Sequence, residues 1–160
     1  MIRGRPHFQS LIDEHADAVA AFLRGMVGPI DADDCLQETY LAALRRYEDF
    51  DGSNPRGWLL TIARSKAIDE HRSRKRRPAA TEAIDAVHGN GHVDDEGRLA
   101  EVWEEVAALP DKQRAAVLLR FGSDLRYREV AEAMGVSEAA ARRNVHEAVA
   151  KLREARGVMC

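Results

Sequence analysis

Tyr127 to His146 reads YREVAEAMGVSEAAARRNVH, in which Gly135 and Ser137 separate two runs of helical period. Gly135 permits a left-handed turn at little steric cost, and Ser137 offers a side-chain oxygen to cap the second run. This is the spacing of a helix-turn-helix, whose second helix enters the major groove of DNA. Ala141, Val145, Ala148 and Leu152 recur at i, i+4, i+7 and i+11, so one face of that helix is buried while Glu138, Arg142, Arg143 and His146 point elsewhere. Guanidinium groups in those positions can take guanine edges or phosphates, with Asn144 and His146 as secondary contacts.

A second set of cations lies upstream. Arg56, Arg64, Lys66, Arg72, Arg74, Lys75 and Arg76 accumulate along a helical segment whose inner side carries Trp58, Leu59, Ile62, Ala63 and Ile68. The overall charge of −3 has the wrong sign for a DNA-binding protein, but it is unevenly distributed. Residues 1–50 carry 5 Lys and Arg against 9 Asp and Glu, and 51–77 carry 8 against 3. Residues 78–113 carry 2 against 9, and 114–160 carry 9 against 6. Both positive blocks coincide with candidate DNA-binding helices, a separation that suits a chain gripping phosphates with one face and meeting a protein with another. The run at 72–77 holds five cations, which repel one another and suggest an anionic partner. Just upstream, Tyr47 and Phe50 sit in the turn-rich loop YEDFDGSN. Trp58, at helical spacing with Leu59 and Ile62, is expected in the core.

Other chemistries find little support. His88 and His92 stand four apart, but the intervening Gly-Asn-Gly is a poor helix former and no further ligand motif accompanies them, so no metal site is expected. Cys35 and Cys160 offer neither a disulfide framework nor a zinc knuckle. Catalytic triad order, phosphate loop and paired acids are all absent, so neither enzymatic activity nor a cofactor is expected. Apolar stretches such as Ala115 to Leu119 fall far short of the roughly 20 residues that span a bilayer, and MIRGRPHFQS lacks the apolar core of a secretory signal. The expectation is a cytoplasmic protein without membrane insertion.

The dominant period is helical throughout, which predicts an all-α fold. Phe8, Leu11, Ile12, His15, Val19, Phe22, Leu23 and Met26 trace a first helix that Gly28-Pro29 stops. A second begins near Asp31, with Cys35, Leu36, Thr39, Tyr40, Ala43 and Leu44 inward, and with Asp31, Asp33 and Asp34 at the positive end of its dipole. Asn54-Pro55 supplies a cap and a first-turn proline for the basic third helix. Residues 78–98, rich in glycine and acid and without sustained period, are predicted to be a flexible linker. Leu99, Val102, Trp103, Val106 and Leu109 then trace a fourth helix, and Ala115, Val117, Leu118, Leu119 and Phe121 a fifth ahead of the helix-turn-helix. The expected organisation is two small helical domains, 1–77 and 99–160.

Four blocks in this order carry a family resemblance: DADDCLQETYLAALRRY, NPRGWLLTIARSKAIDEHRSRKRR, LPDKQRAAVLLRF and YREVAEAMGVSEAAARRNVHEAVAKLR. Together they strongly resemble the extracytoplasmic-function (ECF) sigma factors of bacterial RNA polymerase, which have only regions two and four. The resemblance implies that residues 1–77 dock on core polymerase and handle the promoter minus-ten element, and that 99–160 read the minus-thirty-five element. It assigns core docking to Asp31, Asp34, Gln37 and Glu38, whose carboxylates and amide suit arginine and lysine on a partner. It assigns capture of an unstacked base to the loop with Glu48, Phe50, Asp51 and Asn54, and DNA tracking to the helix with Arg56, Arg64, Lys66, Arg72, Arg74, Lys75 and Arg76. Ser137, Glu138, Arg142, Arg143, Asn144 and His146 would serve the minus-thirty-five element. An anti-sigma factor is implied as a further partner. The chain departs from the family pattern at Ala139-Ala140-Ala141, where members usually carry Gly-Thr-Val, and at Glu147, where arginine is common. Two other readings are a stand-alone regulator that binds duplex without polymerase, and a sigma-like decoy that acts by protein interaction alone.

Overall fold

The computed structural model describes residues 7–76 and 96–157. Seven α-helices make up these residues: α1 (Phe8–Val27), α2 (Pro29–Arg46), α3 (Pro55–Arg76), α4 (Glu96–Ala107), α5 (Asp111–Val117), α6 (Tyr127–Met134) and α7 (Glu138–Ala155). A 3-10 turn at Tyr47–Asp49 follows α2, a π-helical turn at Leu118–Gly122 extends α5, and no strand occurs among the described residues. The all-α expectation holds. The expected linker lies mostly outside the described residues, as do His88, His92 and Cys160, and α4 is already helical at Glu96.

Local chemistry sets the helix ends. Gly28, at φ +89°, breaks the backbone between α1 and α2, and Pro29 opens α2 two residues before Asp31, where the acidic run alone placed the start. Asn54 adopts φ +46° and accepts the Gly57 amide at 3.2 Å, capping α3. A Cβ at Gly57 would overlap that capping amide, so the glycine and the asparagine depend on each other. Ser137 accepts the Ala140 amide at 3.0 Å at the start of α7, and Gly135, at φ +70°, makes the preceding turn.

The apolar faces of all seven helices converge. Leu11, Phe22, Leu23, Leu59, Leu60 and Leu119 are almost completely buried, each worth about 1.5–3 kcal/mol of burial. The N-terminal trio α1–α3 and the C-terminal helices do not stand apart: α1 packs on α4, α5 and the π-helical turn, and α3 packs on α6. At Gly25 a Cβ would come within 2.8 Å of Leu118 and 3.1 Å of Trp103, so glycine permits this close approach. Polar contacts reinforce it at the end of α1. Arg114 donates to the Met26 carbonyl at 2.9 Å and to Ala107 and Leu109 at 2.9 Å each, placing one guanidinium where two helix ends expose carbonyls. Burial lowers the Arg114 pKa, with Asp111 opposing the shift.

Three assignments to apolar runs are corrected. Leu44 of α2, Trp103 of α4 and Phe121 of the π-helical turn are 55%, 41% and 61% exposed, not buried. On α2 the small side chains Ala32, Cys35, Thr39, Ala42 and Ala43 make the buried face instead. At Phe121 the wider π turn breaks the 3.6-residue period on which the assignment rested.

Candidate functional site

The outward face of α2 is mixed rather than purely acidic. Asp34, Gln37 and Glu38 are exposed, and Ile30, Leu41 and Leu44 lie exposed with them. Positions 30, 34, 37, 41 and 44 alternate by four and three, so they form one stripe along the helix. Its apolar members escaped the sequence reading, although that heptad spacing was visible. Asp31 is turned to another use: it pairs with Arg74 of α3, which also donates to the Val27 carbonyl at 2.7 Å and lies 3.6 Å from Glu70. A residue expected to dock and one expected to track DNA are thereby bound to each other.

The loop after α2 borders a cavity of about 330 Å³. Phe50, Asp51 and Asn54 line it as expected, joined by Ser53, Trp58 and Thr61, whereas Glu48 lies outside its lining. Phe50 is only 6% exposed and stacks on Trp58 with centroids 4.2 Å apart, so it is part of the core wall and not a free ring. Trp58, expected wholly in the core, is half-buried and shows part of its ring to the cavity. Asp51 accepts both the amide and the hydroxyl of Ser53 at 2.8 Å, and the backbone bond foremost lowers its pKa. The far wall comes from α6, through Glu129, Glu132 and Ala133.

Along α3, Arg72 and Lys75 are exposed and form no hydrogen bond or ion pair among the described residues. Arg64 and Lys66 are half-buried, and burial lowers the Arg64 pKa. Arg56 reaches across to donate to the Ser123 carbonyl at 2.8 Å, in the turn before α6. Arg76 closes the helix, and its side chain lies outside the described residues.

In the helix-turn-helix, Arg142, Arg143 and His146 stand exposed on α7, opposite the buried Ala141, Val145 and Ala148. Glu138 pairs with Arg142 at 2.8 Å, while Asn144 is turned back to donate to the Ala140 carbonyl at 3.0 Å. Ser137 is occupied as the cap. Glu147 accepts Gln113 of α5 at 3.1 Å. A cleft of about 360 Å³ beside Arg142 is lined by Arg120, Arg126, Tyr127 and Arg128, none of which the sequence reading included.

The family models for sigma-70 region 2 and sigma-70 region 4 match residues 11–77 and 99–152. The ECF RNA polymerase sigma factor EcfG of Rhodopseudomonas palustris is 33% identical over 157 residues, 92% of this chain and 85% of that protein. The chain belongs to the ECF sigma factors. SigE of Mycolicibacterium smegmatis, also an ECF sigma factor, is 29% identical over 93% of this chain. The chain spans 61% of the length of that relative. Among solved structures, the sigma factor RpoE of Bartonella quintana, crystallised with the anti-sigma factor NepR, superposes with a TM-score of 0.81 at 24% identity. That match covers 96% of this chain and 98% of the other, so the shared fold extends across both helical groups. No helix among the described residues is long and apolar enough to cross a membrane, and they contain no group of three potential metal ligands.

Proposed function

We propose that this ECF chain acts in the cytoplasm as the promoter-recognition subunit of RNA polymerase, without enzymatic activity of its own. The α2 stripe with Asp34, Gln37 and Glu38 docks on core polymerase; the loop at Asp51–Asn54 and the outer side of α3 hold the minus-ten element; α7 reads the minus-thirty-five element. Region two would span residues 1–77 and region four 99–160. The observation that carries this reading is the α2 stripe, where three large aliphatic side chains are exposed beside carboxylates that nothing in the fold requires. An anti-sigma antagonist is proposed by likeness to the crystallised RpoE–NepR pair.

The compact arrangement has to open for this work. A globule of 160 residues has a radius of gyration of about 15 Å. Elements centred two and a half helical turns apart are separated by about 85 Å of duplex. The minus-ten cavity is also walled by Glu129 and Glu132 and flanked by Asp49 and Asp51, a negative surround that repels phosphate. The test is co-purification with core polymerase. The unaltered chain should be retained, and replacing Asp34 and Glu38 together with Lys should abolish retention while leaving thermal stability in place. Equal retention of both proteins would remove α2 as the docking face.

A further inference from the structure

Arg142 is exposed, but its guanidinium is engaged by two neighbours. Its guanidinium lies 4.5 Å from the centroid of the Tyr127 ring and is held at 2.8 Å by Glu138. Arg120, from the π-helical turn, lies 4.7 Å from the same centroid and donates to the Leu125 carbonyl at 3.1 Å. The two guanidinium carbons are therefore no more than about 9 Å apart. Arg126 and Arg128 complete the lining of this open cleft of about 360 Å³, in which Glu138 is the one carboxylate. Four cations against one anion leave an excess of three positive charges among the groups lining the cleft, around a single aromatic ring. Beside it, Glu129 caps the start of α6 by accepting the Arg126 amide at 2.9 Å.

Such an excess of cations on an exposed surface attracts an anion. The exposed arginines of the cleft give it water-accessible donors, and its ligand must be an anion reachable from the face that α7 presents. A phosphate of the duplex backbone meets both conditions. A planar guanidinium laid over an aromatic ring and paired with a carboxylate is biased towards that position, where it is ordered for a phosphate oxygen, over one extended towards a base edge. Arg143, the next residue, is exposed and has no hydrogen bond or ion pair among the described residues, so it keeps its full reach.

Resting on the reading of α7 as a DNA-contacting helix, we infer that Arg120, Arg126, Arg128 and Arg142 form a DNA-phosphate site around Tyr127, and that base readout on α7 falls to Arg143. Tyr127 is a positioning residue that acts through Arg142. Phosphate clamping at this cleft fixes the depth and angle at which α7 enters the groove, and Arg143 discriminates sequence once the helix is seated.

The full-length chain is titrated by fluorescence anisotropy against a labelled mixed-sequence duplex at several potassium chloride concentrations, and against single duplexes that it enriches from that pool. Arg120→Gln, Arg128→Gln and Arg142→Gln should each weaken binding evenly across sequences and lower the slope of log affinity on log salt by about 0.9 for each phosphate left without its arginine. Arg143→Gln should instead level the affinities of enriched and mixed duplexes. Tyr127→Leu should reproduce the Arg142→Gln defect and add nothing to it in the double variant, while Tyr127→Phe should bind as the unaltered chain does. Circular dichroism melting identifies any variant that loses binding by unfolding, in which case the Phe variant and the Gln variants decide. An unchanged salt slope in all three Gln variants, with Arg143→Gln still impairing binding, overturns the phosphate site but leaves α7 as a DNA helix. Absence of duplex binding by the unaltered chain, alone and with core polymerase, overturns both. Variants that keep their DNA affinity but lose an acidic protein partner would reassign the cleft to protein docking and likewise overturn the inference.

Discussion

Arg74 of α3 and Asp31 of α2 form an ion pair that ties the end of the basic helix to the start of the acidic one, and the same guanidinium also donates to the Val27 carbonyl, 2.7 Å away. The pair sits at the junction of α1 and α2, where Gly28 breaks the backbone, so it holds the three N-terminal helices in register. Both residues carry charge that composition alone would assign to external partners.

Arg74→Ala is therefore expected to lower stability by about 1 kcal/mol, a discounted value because the pair is partly exposed. Arg72→Ala, which removes an exposed cation without internal contacts among the described residues, should change stability by less than about 0.5 kcal/mol. It should nonetheless reduce promoter affinity and its salt dependence. Urea unfolding and salt-dependent binding of the two variants separate these behaviours, and the reverse ranking of stabilities would contradict the structural role of Arg74.

The apolar members of the exposed α2 stripe are testable apart from its acids. Leu41→Asp places a charge at a position that is 55% exposed, so the isolated chain should melt normally. If the stripe meets core polymerase with its aliphatic groups desolvated, retention on core should fall by at least about tenfold, the equivalent of about 1.4 kcal/mol. Full retention would limit docking to the carboxylates.

Gly57→Ala forces a methyl group into the Asn54 cap. Disruption of that cap should lower stability by about 1 kcal/mol and shift the loop that lines the cavity proposed for the minus-ten element. In run-off transcription with core polymerase, a supercoiled promoter should respond strongly and a pre-melted one weakly. Equal responses would place the loop outside strand opening.

Gly25→Ile drives a branched side chain against Leu118 and Trp103 where α1 meets the C-terminal helices. The expected result is an increase of the radius of gyration in solution scattering from about 15 Å, with helical content retained. A variant that melts early but stays equally compact would show that the two helical groups do not separate.

His15 is buried on α1, and burial foremost pushes its pKa below the ordinary 6.5, with Arg56 adding to the shift and Glu14 opposing it. In the unfolded chain the imidazole takes its proton near 6.5, whereas the folded chain resists protonation. Above 6.5 both states are neutral and no penalty arises; as pH falls below 6.5 the unfolded state binds the proton first and stability declines until the lowered folded pKa is reached. His15→Gln should flatten this acid limb in a series of urea melts. An acid limb identical to that of the unaltered chain would assign the sensitivity to carboxylates instead.

The helices, their caps and the helix-turn-helix were legible in the sequence because they depend on local spacing: a 3.6-residue apolar period, Asn54 before Pro55, and Gly135 and Ser137 between two amphipathic runs. The same logic separated the charged blocks and exposed Asp34, Gln37, Glu38 and Arg143. Periodicity fixes a side chain's direction about its own helix axis, but it does not say which other helix lies there. Partners such as Arg74 with Asp31 and Arg56 with the Ser123 carbonyl are 43 and 67 residues apart in sequence, and only the packing of the helices brings them together. Tertiary structure alone therefore decided which cations are consumed internally and that α6 walls the cavity beside the Asp51–Asn54 loop. It also decided that Leu41, Leu44 and Phe121 face solvent: small residues already fill the inner face of α2, and a π turn rotates the chain before α6.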